Sequence, residues 1–358
     1  MPLVAAKCTE CGAGLQADNT RDAAICQFCG TPFIVEKAIH NHNITNNINA
    51  SVVNVYGGSA SDFEIRAGEL LEYNGAATEV VIPSNVWAIG ESAFSGCSGL
   101  TSISIPNSVK VIWVKAFRNC SGLTNINVPS SVTTIGDYAF YGCSGLMSIS
   151  VSNSVTEIGE GAFSGCSGLT SISIPNSVTE IKSEAFSSCS GLTSISIPNS
   201  VTSIGGNAFA GCSGLTSVSI PNSVTRIGMD AFRCCSGLTS INIPNSVARM
   251  DQEAFFGCSG LTSVNIPNSV TSIGVSVFSG CRSLTSVSIP ESVAAIAYDA
   301  FFGTPYQKQK DKDKEEQKQR EKQNQQQQQI AQRKAAGLCI HCGGKKGWSG
   351  KCKLCGKT

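Results

Sequence analysis

The chain has 358 residues, of which 41% are hydrophobic and 14% charged, with a formal net charge of +1. That balance excludes binding to polyanions by overall charge, and no apolar run approaches the roughly 18 residues that a membrane-spanning helix needs. Length alone would allow two or three domains, but most of the chain is one unit repeated.

Charge is unevenly spread: residues 1–90 carry 4 basic and 9 acidic groups, whereas residues 307–358 carry 14 basic and 5 acidic. The basic end is thus distinct from the rest. The opening MPLVAAKCTE lacks the basic and long apolar regions of a signal peptide, so the expectation is a cytoplasmic protein with no membrane span.

Residues 1–36 contain two C-x-x-C-G knuckles, Cys8-Thr-Glu-Cys11-Gly12 and Cys26-Gln-Phe-Cys29-Gly30, separated by fourteen residues. Thiolates two residues apart on a tight turn reach one metal, and a second knuckle completes a tetrahedral four-sulfur site. The stretch resembles a zinc ribbon. A redox pair is the rival reading, but it would need only one C-x-x-C and a βαβ context that is missing. Four thiolates leave no open coordination position, so the expected zinc is structural and replaces a core that so few residues cannot build. Residues 37–62 are an Asn-rich linker or short hairpin; His40 and His42 lie there, and a solvated role suits them better than a second metal site.

Residues 63–85, beginning FEIRAGELLEYNG, keep the apolar rhythm without the Phe-x-Gly-Cys section and read as an amino-terminal cap. Residues 86–305 then repeat every 23 residues. Cysteine recurs at Cys97, Cys120 and so on to Cys281 with no insertion, and phenylalanine keeps the same step from Phe94 to Phe301. A fixed period of this size marks a solenoid, in which each unit buries its apolar face only against its neighbours. Within a unit, Ile103 and Ile105 alternate with Ser102 and Ser104 as a half-buried strand does, and Pro106 ends it. Ile112, Ala116, Phe117 and Cys120 lie at i, i+4, i+5 and i+8, which predicts a short helical turn. Gly99 and its equivalents are expected to supply a positive φ between helix and strand. Leu100, Ile103, Ile105, Val109, Ile112, Ala116, Phe117 and Cys120 should point inward, with Phe301 to Tyr306 closing the far end.

The pattern L-x-x-I-x-I-P followed by S-V-x-x-I-G-x-x-A-F-x-G-C resembles the BspA-type leucine-rich repeat. That resemblance implies a parallel-stranded solenoid, often an adhesion or recognition surface, with no shared enzymatic activity. Departures are few. Ser152 replaces the proline; Trp113, Lys182, Asp251 and Ala297 replace the glycine after isoleucine; Ser283 replaces the glycine before leucine.

The ladder cysteines read as small buried hydrophobes, because bridging successive rungs would strain a disulfide. Cys234 stands apart, where Gly96 or Gly142 stands in other copies, and an exposed reactive thiol is weighed there. The outward strand residues, such as Ser102/Ser104, Asn125/Asn127 and Ser240/Asn242, offer hydroxyl and amide groups but no titratable pair and no nucleophile beside a histidine. Variable side chains gather before and after the A-F pair, among them Tyr138, Met229, Tyr298, Arg118, Arg233 and Phe302, and could anchor a protein partner.

Residues 306–336 are rich in Gln, Lys and Glu and form a charged spacer with helical character but no apolar seam. Residues 337–358 hold a second knuckle pair, Cys339-Ile-His-Cys342-Gly343 and Cys352-Lys-Leu-Cys355-Gly356, and are expected to bind a second structural zinc, with His341 a bystander. Around it lie Lys345, Lys346, Lys351, Lys353, Lys357 and Trp348, a set able to contact phosphates and stack on a base. The sequence therefore predicts a non-enzymatic interaction scaffold, a leucine-rich solenoid with short parallel strands and short helices flanked by two zinc ribbons. The alternatives are a nucleic-acid or ribosome-associated protein acting through the basic ribbon, and a surface adhesin.

Overall fold

The computed structural model describes the backbones of residues 3–7, 14–18, 23–25 and 32–34, together with residues 60–345, 347, 348, 350, 351, 353–355 and 357. The first four segments are strands β1 (Leu3–Lys7), β2 (Gly14–Asp18), β3 (Ala23–Ile25) and β4 (Pro32–Ile34), paired antiparallel as β1 with β2 and β3 with β4. The amino-terminal knuckle cysteines Cys8, Cys11, Cys26 and Cys29, and His40 and His42, lie outside the described residues.

The repeat begins at a hairpin, β5 (Phe63–Arg66) and β6 (Glu69–Tyr73), which turns through Ala67 and Gly68 at φ 50° and 79°. Two successive left-handed residues match the twist of a tight hairpin. Only glycine fits at 68, since a Cβ there would lie 2.6 Å from Trp87 Cδ1. β6 pairs in parallel with Ala88–Ile89, so the hairpin hands its register to the first coil.

From there each coil contributes a three-residue strand, such as Ser102–Ser104, and a two-residue strand, such as Val111–Ile112, and both rows are parallel. Partners are residues at the same place in successive coils: Ile126 faces Ile149, Ile112 faces Ile135. The inward positions expected from the sequence are buried, Leu100, Val109, Ile112, Ala116, Phe117 and Cys120 almost completely; Ile105 is half-buried although its later equivalents Ile174 and Ile220 are buried. The phenylalanines form one stack, with neighbouring ring centroids 5.1 to 5.5 Å apart and planes within 15° of parallel, and Tyr73 takes the first place in it. Such offset rings add attraction to the large area that each aromatic buries.

Two expectations are corrected. The short helices are absent: the segment around Ala-Phe is a run of turns in every described coil. Residues such as Lys115 and Asn119, or Glu184 and Ser188, are left-handed at φ 57 to 59°, and two such residues four apart cannot continue a right-handed helix. The backbone there alternates its partners instead. Phe94 and Gly96 N–H donate to Ala116 and Arg118 carbonyls of the next coil at 2.8 and 2.7 Å, while Ser95 and Cys97 N–H close turns onto Ser92 and Phe94 of their own coil. A helix would satisfy these groups within one coil; here half of them bind coil to coil.

The second correction concerns glycine. Positive φ belongs to Gly96, Gly142, Gly165 and their equivalents, not to the Gly99 series. The latter are needed for close approach: a Cβ at Gly122, Gly145 or Gly191 would lie 2.3 to 2.4 Å from a serine carbonyl oxygen of the preceding coil. At Gly99, in the first coil, nothing lies within 4 Å.

The second unit, Pro305–Thr358, starts with a 31-residue helix α1 (Pro305–Ala335), and none of its residues is buried. Its good helix formers are supported by i, i+4 bonds such as Gln307 to Asp311 and Gln309 to Asp313, both 2.7 Å.

Candidate functional site

Chemistry inside the coils is spent on holding neighbours together. The buried thiol of Cys143 donates to the Phe117 carbonyl at 3.0 Å, Cys189 to Phe163 at 3.1 Å and Cys281 to Phe255 at 3.2 Å, each reaching back 26 residues. No disulfide joins these thiols. Burial pushes the Cys212 thiol up to about 12, and Cys97, at the half-open start of the ladder, to about 11. These groups stay neutral and inert. Threonine and serine hydroxyls add two more columns, as in Thr193 Oγ1 to Thr170 O at 3.3 Å and Ser200 Oγ to Val178 O at 2.7 Å.

The outer strand face repeats an exposed-buried-exposed pattern from Asn125–Asn127 to Ser263–Asn265. It carries hydroxyls and amides with no titratable cluster. On the turn face, charges pair across coils. Lys182, where the pattern has glycine, meets Glu157 at 2.5 Å; Asp251, in the same place in a later coil, accepts from Arg226 at 2.7 Å and Arg249 at 2.5 Å. These departures from glycine are thus accompanied by ion pairs to neighbouring side chains. Arg233 bonds Asp230 and Glu253 and lies 4.6 Å over the Phe256 ring. Tyr138 donates to Glu160 at 2.8 Å, a bond that helps push its phenol up to about 12.

At the far end of the chain, the sulfurs of Cys339, Cys342 and Cys355 all lie within 4.8 Å of one another, with Cys355 3.6 Å from Cys339 and 3.5 Å from Cys342. The edge of a tetrahedron of sulfurs about 2.3 Å from zinc is about 3.8 Å, so these three sit near the corners of such a site. Cys352, the fourth expected ligand, lies outside the described residues. The knuckle closes through Gly343, at φ 75°, whose N–H donates to the Cys339 carbonyl at 2.8 Å, and the Cys339 N–H donates to Gly344 O at 2.8 Å. Arg333, near the end of α1, donates to the carbonyls of Ile340 and His341 at 3.2 Å and so fixes the knuckle against the helix. The donor set suits a structural metal: soft sulfurs with no open position once a fourth is added. It is the one group of His, Cys, Asp or Glu close enough to share an ion among the described residues.

The repeat pattern settles the lineage. Residues 69–193 and 179–307 match the family described as BspA-type leucine-rich repeat region. The chain belongs to the BspA-type leucine-rich repeat family. Its coils resemble solved structures of other leucine-rich repeat proteins. One from Bacteroides ovatus is 24% identical over 84% of this chain and 90% of its own, with a TM-score of 0.41. A leucine-rich cell surface protein from Faecalibacterium prausnitzii is 23% identical over 64% of this chain and 91% of its own, TM-score 0.35. A third, from T. pallidum, is 25% identical over 70% and 90%, TM-score 0.33. No functionally curated protein matches the chain.

Among the residues that the sequence flagged, Cys234 in the BspA-type coils is exposed at φ 56°, and Trp348 in the second unit is fully exposed. Tyr298 and Phe302, at 97% and 70% exposure, stand on the outer turn of the last coil. What sequence reasoning missed is the state of that coil. Phe301, Ala300 and Thr304 are buried, so the phenylalanine track is closed as expected, but Val287, Ile289 and Val293 are only half-buried and Ile296 is 43% exposed. Their equivalents one coil earlier, Val264, Ile266, Val270 and Ile273, are buried. The signal was available: these are core positions in the final copy, with no further copy to cover them.

Proposed function

We propose that the chain is a non-enzymatic cytoplasmic scaffold whose coils present a rigid surface to a protein partner, with structural zinc ribbons in residues 1–36 and 337–358. The carrying observation is the economy of the coils: the buried thiols from Cys120 to Cys281, the threonine and serine columns and the ion pairs are engaged with neighbouring coils or side chains, and what faces outward is an uncharged hydroxyl and amide ladder beside a variable turn face. Such a surface holds molecules without transforming them. Cys8, Cys11, Cys26 and Cys29 form the first site in this reading, and Cys339, Cys342, Cys352 and Cys355 the second; unbridged thiols in the coils favour a reducing compartment. Affinity capture on the full chain tests the partner. Capture should weaken when Met229 and Val275, both about half exposed on the turn face, are changed to lysine; undiminished capture would move recognition elsewhere. Zinc analysis should return two ions per chain.

Trp348, exposed among Lys345, Lys351, Lys353 and Lys357, supports the second reading, in which the last ribbon binds single-stranded nucleic acid or a ribosome. Binding to an RNA oligonucleotide would then fall steeply with salt and drop on Trp348→Ala, and salt-insensitive or absent binding would end this reading. The third reading, a surface adhesin, draws on the family and is opposed by the zinc-type cysteines; cell fractionation separates it from the first.

A further inference from the structure

The two ends of the coil array differ. At the amino-terminal end the inward residues Leu70, Tyr73, Val80 and Ile82 are buried, and the first coil is closed off on one side by the antiparallel hairpin β5–β6. At the carboxy-terminal end the strand Ser286–Ser288 pairs on one side only, with Ser263–Asn265, and Ala295–Ile296 only with Ser272–Ile273. The N–H of Ile289 has equivalents in Ile82, Val128 and Ile266 that donate to the next coil's serine carbonyl at 2.9 to 3.0 Å. It has no next coil to donate to, and the carbonyl of Thr285, whose equivalent at Thr262 accepts from the next threonine, is left facing the same way. The same coil holds the half-covered apolar set Val287, Ile289, Val293 and Ile296 and the exposed Tyr298 and Phe302. An open edge over an apolar floor is a template for strand addition.

We propose that this end is the contact of a two-fold homodimer, in which the strand Ser286–Ser288 pairs antiparallel with itself in a second copy about Val287. Two observations select a second copy. The amino-terminal end also keeps a one-sided strand, Glu79–Val81, but its inward residues Val80 and Ile82 are already buried, so the uncovered apolar floor of the carboxy-terminal end finds its match in the same floor of a second copy. The charges are also self-complementary. Pairing about Val287 sets Ile289 opposite Thr285, donor to acceptor, and brings the turn of one copy that holds Glu291 to the side of the other copy's turn that holds Arg282. Arg282 stands where Ser259 and Ser236 stand in earlier coils, and Glu291 stands where Asn268 and Asn245 stand. Both charged departures fall in the final coil, on either side of the centre, and neither has an ion-pair partner among the described residues. The dimer gives each one a partner of opposite sign, twice.

Sedimentation equilibrium of the full chain in reducing buffer tests this. The wild type should show twice its 37.3 kDa mass. Arg282→Glu should weaken the dimer about tenfold, because the two-fold repeats the repulsion. The double variant Arg282→Glu with Glu291→Arg should recover it. Ile296→Lys, at an exposed position, should leave a monomer with an unchanged melting temperature. A wild type that remains a single chain across the micromolar range overturns the proposal, as does a dimer indifferent to all three variants. If residues of the same chain cover the edge instead, a monomer with slow amide exchange at Ile289 will show it, and that also overturns the proposal.

Discussion

At the scale of single residues, the ladder cysteines show how a small group is used twice. From Cys120 to Cys281 each fills the space beside a phenylalanine and also donates its proton to a carbonyl 26 residues back, so that a buried acceptor is satisfied by a side chain that would rather not ionise. The pH consequence has a definite sign. A thiol whose folded pKa is raised, as for Cys212 at about 12 against an ordinary 9, favours the fold fully below pH 9 and loses that contribution as pH rises toward 12. Each such thiol contributes a slope of about 1.4 kcal/mol per pH unit above 9, and the ladder adds several. Urea denaturation followed from pH 8 to 11 should therefore show stability falling steeply, and a flat profile would contradict the buried ladder. A thiol reagent at neutral pH should label Cys234 quickly, and Cys166 to Cys212 only on unfolding.

At the scale of the element, strand and turn had unequal visibility in the sequence. The strands were legible because Ile103 and its copies alternate with serine and the period never slips. The turn segment was misread because Ile112, Ala116, Phe117 and Cys120 fit a helical face as well as they fit a turn ladder. What decides is a left-handed residue at two places per coil. One place carries glycine or asparagine in most copies and could have been noticed; the other holds Ser92, Lys115, Tyr138 and Glu184, which have no shared preference for that conformation. The coil-to-coil bonds of Phe94 and Gly96 and their equivalents hold them there, which is tertiary context overriding local preference. The glycines before leucine give a sharper prediction. Gly191→Ala places a Cβ 2.4 Å from the Ser167 carbonyl oxygen and should destabilise by about 2 kcal/mol or more, whereas Gly99→Ala meets nothing within 4 Å and should be close to neutral. Equal effects in thermal melts would remove close approach as the reason for glycine at this place.

At the scale of the whole molecule, the two units answer to different stabilising forces. The coils depend on continuous apolar stacking, while the described residues of 337–358 are mostly exposed and gather three sulfurs at one point. Chelation of metal should raise amide exchange around Cys339 to Cys355 and leave the melting of the coils unchanged; coupled loss of both would show that the coils also need the metal. The candidate metal residues were legible from spacing alone, since C-x-x-C-G states both ligand and turn. Arg333 was not, because a residue that braces a knuckle from a helix end seven and eight positions away leaves no spacing signature.

The unbroken 23-residue period has a consequence for how such a protein can change. Most junctions join like to like, Ile to Ile in many coils and Phe to Phe from Phe94 to Phe301, with exchanges such as Ile227 against Met250 or Val218 against Ile241, so deleting or duplicating one whole unit leaves the remaining junctions nearly as they were. The length of the array behaves as a ruler that can be cut or extended in fixed increments without redesign, and only pairs such as Lys182 with Glu157 mark one graduation as different from the next.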